Sequence, residues 1–244
     1  MTNRIEVSGL PVDVLTISQL IDRVSSLLDS GSKHNIGYLN VHVANTARKN
    51  PTLERFIKGA SVIYCDGSGI KLGAQILGKE LPERMTGADW IWDLADRSAA
   101  DGWKIYWIGG EEGVSHLAAD VLRKERPDLQ IETDHGFHKG AALKSAIDRI
   151  NAFEPDIVLV GMGSPLQEEW VTNWRSDINA PVVWCLGATA DFIAGKTNRG
   201  PEWLYTRAEW LARLVVEPRR LAHRYLVGNT VFLGRVFWER LRSS

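Results

Sequence analysis

Two short runs without a polar residue constrain this chain most. Ile157-Val158-Leu159-Val160 and Val182-Val183-Trp184-Cys185-Leu186 are too short for helices and apolar on every face. A strand of that kind must be covered on both sides, which is the signature of a parallel sheet sandwiched between helices. The stretches around them obey the same rule. Ile17 to Leu28 repeats apolar residues at helical spacing, and Asn35 to Val43 reads as a buried strand. A helix is expected from about Asn45 to Lys58, a strand from Ser61 to Cys65, and a helix from Ser68 to Leu77. Strand Trp103 to Ile108 leads into helix Val114 to Arg126, which Pro127 stops. Strand Leu129 to Thr133, loop His135 to Gly140, helix Ala142 to Phe153, strand Asp156 to Val160, helix Leu166 to Arg175 and strand Pro181 to Leu186 follow. The alternation predicts an α/β fold with a Rossmann-like parallel sheet covered by helices.

Near Gly200 the chemistry changes. Between residue 205 and the C-terminus stand eight arginines against three acids, interleaved with large apolar side chains that include Trp210, Phe237 and Trp238. This predicts a core over residues 1–200 and a basic, amphipathic, helical appendage over 201–244 that associates with a membrane surface. The packed face of an ordinary helix is the plain alternative. The formal net charge of −1 offers no field for nucleic acid. The N-terminal residues are too polar for a signal peptide, and no window reaches the roughly 18 apolar residues of a spanning helix. A soluble or peripheral protein is therefore expected. Cys65 and Cys185 lie in apolar runs and read as buried free thiols in a reducing compartment.

Ligands of open parallel sheets bind beyond the carboxyl ends of the strands. Asp66 follows one strand end, where a carboxylate acts as a general base or merely caps the next helix. Gly109 and Gly110 follow another, where backbone amides approach a diphosphate or simply make a tight turn, and Glu111 and Glu112 beside them would repel phosphate. Pro165-Leu166-Gln167-Glu168 opens a helix from which Gln167 would project toward a cleft. Gly187 to Asp191 follow the last strand. His42, His135 and His138 show no metal-ligand spacing and read as loop or core histidines.

Taken in order, these stretches resemble the WecG/TagA/CpsF family of glycosyltransferases, glycosyltransferase family 26, from about Ile36 to Leu233. The resemblance is carried by Cys65-Asp66-Gly67-Ser68-Gly69, Arg84-Met85-Thr86-Gly87-Ala88-Asp89, Trp107-Ile108-Gly109-Gly110, Gly161 to Glu168, Gly187 to Lys196, Arg199-Gly200-Pro201 and the segment Glu209 to Tyr225. It implies inverting, metal-independent transfer from a UDP-sugar to a polyprenyl-diphosphate-linked acceptor, with no cofactor, at the inner face of the cytoplasmic membrane. Asp66 falls on the family's proposed catalytic base. Arg84 falls on its Arg-x-x-Gly motif and would balance charge on the donor or the leaving UDP. Gln167 matches the Pro-x-Gln-Glu motif of the donor pocket, and Asn40 the asparagine of Thr-x-Asn. Asp191 lies in the matching block after the last strand. Arg213, Arg219, Arg220 and Arg224 would meet the acceptor's diphosphate or the leaving UDP in a membrane-docking appendage. Members of the family can self-associate, so a homo-oligomer is allowed. Tyr38 stands where the motif has threonine, a departure that resembles exopolysaccharide members, some of them glucosyltransferase-like, more than the N-acetylmannosaminyl members of teichoic-acid synthesis.

Two other readings compete. A nicotinamide-dependent oxidoreductase would need the full glycine fingerprint and an acid on the second strand, and neither is evident. A non-catalytic membrane scaffold would have no need for Asp66, Arg84 and Gln167 together.

Overall fold

The structure, a computed structural model, describes residues 3–197 and 227–243. Eight strands are described: β1 (Arg4–Val7), β2 (Leu10–Asp13), β3 (His34–Leu39), β4 (Val62–Cys65), β5 (Ile105–Gly109), β6 (Ile131–Asp134), β7 (Ile157–Gly161) and β8 (Val182–Cys185). Between them run α1 (Ile17–Leu28), α2 (Val41–Ala47), α3 (Pro51–Gly59), α4 (Ser68–Ile76), α5 (Gly87–Asp101), α6 (Val114–Glu125), α7 (Ala141–Phe153), α8 (Leu166–Trp174) and α9 (Thr189–Ile193). The last described helix is α10 (Gly228–Ser243). β1 and β2 form a hairpin, and the other six strands form one sheet in the order β4-β3-β8-β7-β5-β6. The pairs β3–β8, β8–β7, β7–β5 and β5–β6 are all parallel, as the apolar runs predict.

The chain divides into two compact units. One comprises Ile17–Gly37 and Gly87–Lys196. Its central strands β5, β7 and β8 are buried at every position, and β6 at the edge is buried only at Ile131. α5 lays Trp90 flat on Trp184 of β8, with ring centroids 4.0 Å apart and 17° between planes. Rings this size bury enough apolar surface to stabilise by roughly 2–3 kcal/mol each. At the end of α8 the half-buried Arg175 guanidinium pairs with no carboxylate among the described residues. It donates instead to the carbonyls of Ile178, Ala180 and Pro181 at 3.1, 3.0 and 2.9 Å, tying the helix to the start of β8. Burial lowers its pKa to about 10, so it stays charged at neutral pH.

The other unit comprises Met1–Thr16, Tyr38–Thr86 and Thr197–Ser244. Fully buried Asp13 of β2 receives both the Arg4 fork, at 2.9 and 2.8 Å, and the Ile63 N–H, at 2.6 Å. The hairpin thereby fixes β4, the strand that ends just before Asp66. α10 is anchored in this unit by buried Phe232 and Val236, by Arg235 donating to Asn45 Oδ1 at 2.8 Å, and by Asn45 donating to the Gly228 carbonyl at 2.9 Å.

Four local expectations need correction. β3 stops at Leu39, not Val43, because the Asn40 side chain accepts from Val43 N–H and starts α2 there. The expected helix from Asn45 to Lys58 is two helices. Asn50 accepts from Thr52 and Leu53 N–H and Pro51 opens α3, so the chain must break and restart. The fifteen residues of α5 and the β1–β2 hairpin carry elements where none was assigned. Both thiols are free and buried, as expected.

Candidate active site

In the unit that contains Tyr38–Thr86, the polar residues expected of a site converge on the end of β4. Asp66 N–H donates to the Leu39 carbonyl at 2.9 Å, which brings the ends of β3 and β4 together. Asn40, the residue after β3, then reaches Asp66: its Nδ2 donates to Asp66 Oδ2 at 2.8 Å. The other end of the same amide is occupied, because Oδ1 accepts from Val43 N–H at 2.9 Å. An amide held at both ends cannot flip, so its N–H is aimed at the carboxylate by the start of α2. Gly67 occupies the cap position of α4, so Asp66 is not that helix's cap residue. The carboxylate is half-buried.

Arg84 is brought to the same strand end by the backbone. Met85 N–H donates to the Cys65 carbonyl at 2.8 Å and pins the 84–86 segment beside Asp66. The charges of this neighbourhood register on the Cys65 thiol. Burial pushes it up to about 12, Asp66 adds to the rise, and Lys71 and Arg84 oppose it. Lys71, on the first turns of α4, was not singled out in the sequence. Helical spacing from Asp66 was the available signal, but nothing distinguished this lysine from any other. Its Nζ also donates to the Pro82 carbonyl at 2.9 Å, on the segment that carries Arg84. A carboxylate oriented by an amide, with two cations close by, has the elements of a base that draws a proton from a hydroxyl next to an anionic substrate.

In the unit that contains Gly87–Lys196, Gly109, Gly110, Gln167 and Asp191 all lie at or just beyond the ends of β5, β7 and β8. The Gly110 N–H donates to the Gly161 carbonyl at 2.7 Å. Gly109 has φ +145°, and a Cβ there would stand 2.5 Å from the Gly161 carbonyl carbon and oxygen. The strand ends approach so closely that only glycine fits. The repulsion expected of Glu111 is answered within the unit, because Lys196 Nζ pairs with it. That cation holds the Glu111 carboxyl below its ordinary range. Glu111 raises Lys196 in turn, and Asp191, half-buried in the first turn of α9, adds a smaller push in the same direction.

Gln167 departs from expectation. Its side chain does not project from α8 but is fully buried. Its Oε1 accepts from Gly187 N–H at 3.0 Å, and its Nε2 donates to Glu168 Oε1 at 2.8 Å. It therefore links the β7–α8 turn to the end of β8.

His135 and His138 lie in the loop after β6, as expected, but close to one another. Their ring centroids lie 3.7 Å apart with the planes tilted by 37°, and with Asp134 they bring ligand-type atoms within 4.8 Å of one another. The arrangement is already satisfied from within the protein. Asp134 takes His138 Nε2 at 2.8 Å, the His135 N–H at 2.8 Å and the Arg149 guanidinium. His135 Nδ1 accepts from Phe137 N–H at 3.3 Å. A cation would have to compete with Arg149 for the carboxylate. Arg213, Arg219, Arg220 and Arg224 lie outside the described residues.

The sheet and its helices make a Rossmann-like α/β fold, with a half-buried carboxylate just past the end of β4. The chain belongs to the WecG/TagA/CpsF family of glycosyl transferases, whose family model matches residues 5–244, and it is a glycosyltransferase. Among its curated relatives is the N-acetylglucosaminyldiphosphoundecaprenol N-acetyl-β-D-mannosaminyltransferase of Staphylococcus aureus strain MRSA252. It is 24% identical over 224 residues, which cover 90% of this chain and 87% of the relative. The protein of the same name from strain NCTC 8325 matches with the same identity and coverage.

Proposed function

We propose that this glycosyltransferase moves a hexose or N-acetylhexosamine from a UDP-sugar to a polyprenyl-diphosphate-linked acceptor, with inversion and without metal, in the synthesis of a bacterial cell-surface or extracellular polysaccharide. The observation that carries the reading is the Asn40–Asp66 pair, a carboxylate aimed by a capped amide at the end of a parallel strand, with Arg84 beside it. Asp66 takes the proton of the acceptor hydroxyl as that oxygen attacks the anomeric carbon. The bond from that carbon to the UDP oxygen breaks, UDP leaves with its electron pair, and the attack from the opposite face inverts the centre. A base so placed contributes about 10²–10⁴ in rate. Arg84 balances charge on the donor or the departing diphosphate, and Arg213, Arg219, Arg220 and Arg224 are assigned to the same anionic groups. Gly109, Gly110 and Asp191 are assigned to the donor. Gln167 serves it indirectly, by holding the turn that leads to Asp191.

The name of the staphylococcal relatives supports a lipid-diphosphate acceptor and an N-acetylmannosamine donor. Tyr38 keeps a glucose-type donor in view. Association with the inner membrane surface is supported by α10, which exposes Val231, Phe237, Trp238 and Leu241 alongside Arg240 and Arg242. No described helix is long and apolar enough to cross a membrane. The test is UDP release by the purified protein with UDP-glucose, UDP-N-acetylmannosamine or its uronic acid and a short-chain lipid-diphosphate acceptor, in EDTA. Release with one donor, lost in Asp66→Asn with folding retained, supports the assignment. Absence of release with every donor, together with no stabilisation by UDP, overturns it.

A further inference from the structure

Glu168 is a carboxyl residue only 2% exposed, and the mechanism above does not use it. Its surroundings are unusually specific. The Gly187 N–H can only donate, so the Gln167 atom 3.0 Å from it must be the amide oxygen. The Gln167 Nε2 must then face Glu168, whose Oε1 accepts at 2.8 Å. The chain of contacts runs from α8 through the Gln167 amide to the first residue after Leu186. From there the backbone turns into α9, with Thr189 Oγ1 donating back to the Leu186 carbonyl at 2.8 Å and Asp191 in the first helical turn.

We propose that Glu168 is a positioning residue for glycosyl transfer: it locks the Gln167 amide, and through it the Gly187–Asp191 turn, in the orientation that donor binding uses. The proposal rests on the assignment of Asp191 to the donor. A second observation supports it. Glu168 Oε2 and Ser164 Oγ are both buried without a formed hydrogen bond, and the two groups interact. One proton on Oε2 resolves both, because the neutral acid donates to Ser164 Oγ while Oε1 continues to accept from Gln167. Burial, the largest influence, favours that neutral form and outweighs the hydrogen bonds from Gln167, the Glu168 backbone and Ser164, which favour the ion.

The neutral acid has a close mimic in glutamine, which offers the same acceptor and a donor where the hydroxyl was. The experiment compares wild type, Glu168→Gln, Glu168→Leu and Glu168→Asp, the last withdrawing the acceptor by one methylene should the leucine variant not fold. Hydrogen exchange at the Gly187 amide, with Val183 in β8 as internal control, is read beside kcat and donor KM from pH 5 to 8. In the leucine or aspartate variant, Gly187 should exchange about tenfold faster, the loss of one hydrogen bond, while Val183 is unchanged. Donor KM should rise with it. Glutamine should restore both values. The lock is overturned if glutamine fails as leucine does, or if Gly187 protection survives in leucine and aspartate alike. Exchange does not depend on turnover, so a wild type that releases no UDP defeats the transfer reading while leaving the lock to be judged by Gly187 alone.

Discussion

Asn40 offers a perturbation whose two consequences separate cleanly. The side chain makes two hydrogen bonds: Oδ1 caps α2 through Val43 N–H, and Nδ2 orients Asp66. Asn40→Ala removes both. Loss of the cap costs about 1 kcal/mol, and loss of a half-solvated bond to a carboxylate about as much, giving roughly 2 kcal/mol in total. Asn40→Ser retains a good capping oxygen but is too short to cap Val43 and reach Asp66 together. Its stability should fall by only about 1 kcal/mol, the loss of the Asp66 bond alone, since serine ranks beside asparagine as a cap. If the Nδ2 bond aims the base, kcat should fall about tenfold in the serine variant, which is about 1.4 kcal/mol of transition-state free energy, with donor KM little changed. Urea midpoints give the stability of each variant, and initial rates of UDP release give kcat and KM. A serine variant with wild-type kcat refutes the reasoning. So does a pair of variants whose activity falls only in step with their stability, because the amide would then be a cap and nothing more.

The remaining predictions concern packing and protonation. Gly87→Ala would place a Cβ 1.9 Å from Thr189 Oγ1 and 3.3 Å from the Leu186 carbonyl oxygen, so it should cost about 1–3 kcal/mol. A urea midpoint equal to wild type would show that the end of β8 yields more readily than its packing suggests. Glu168 holds its proton above the ordinary 4.5 of an unfolded chain because it is buried. Its contribution to stability is therefore fully present below pH 4.5 and is lost as pH rises through the folded value. The stability of Glu168→Gln, which cannot titrate there, should vary less over that window, and parallel profiles for the two proteins would contradict the assignment. Cys65, pushed up to about 12, and Cys185, raised well above its usual value by burial, should not react with a thiol reagent at pH 8 until denaturant is added. Fast reaction of either in the native protein would show that the site around it opens.

The repetition of buried strands and amphipathic helices was written locally in the chain. Ile157–Val160 and Val182–Cys185 have no polar face, so only a covered parallel sheet can hold them, and the structure pairs them in parallel. Asp66, Arg84 and Asn40 were legible as candidates because strand ends and motif blocks mark them, and the chain's membership of its family followed from the order of those blocks. What the sequence could not show is which way a polar side chain turns. Asn35 to Val43 has strand-like content throughout, yet the strand ends at Leu39, because the Asn40 amide finds Val43 N–H on one side and Asp66, 26 residues further on, on the other. Gln167 at a helix start looked free to project, but the Gly187 N–H from a different strand requires an acceptor, and the side chain turned inward to supply it. His135 and His138 carry no ligand spacing, and only the carboxylate of Asp134 and the arrival of Arg149 from α7 draw them together. Periodicity fixes where apolar surface must go, and it does so within a few residues of sequence. The partner of a buried hydrogen-bonding group comes from wherever the chain returns in space, and only the folded structure decides that.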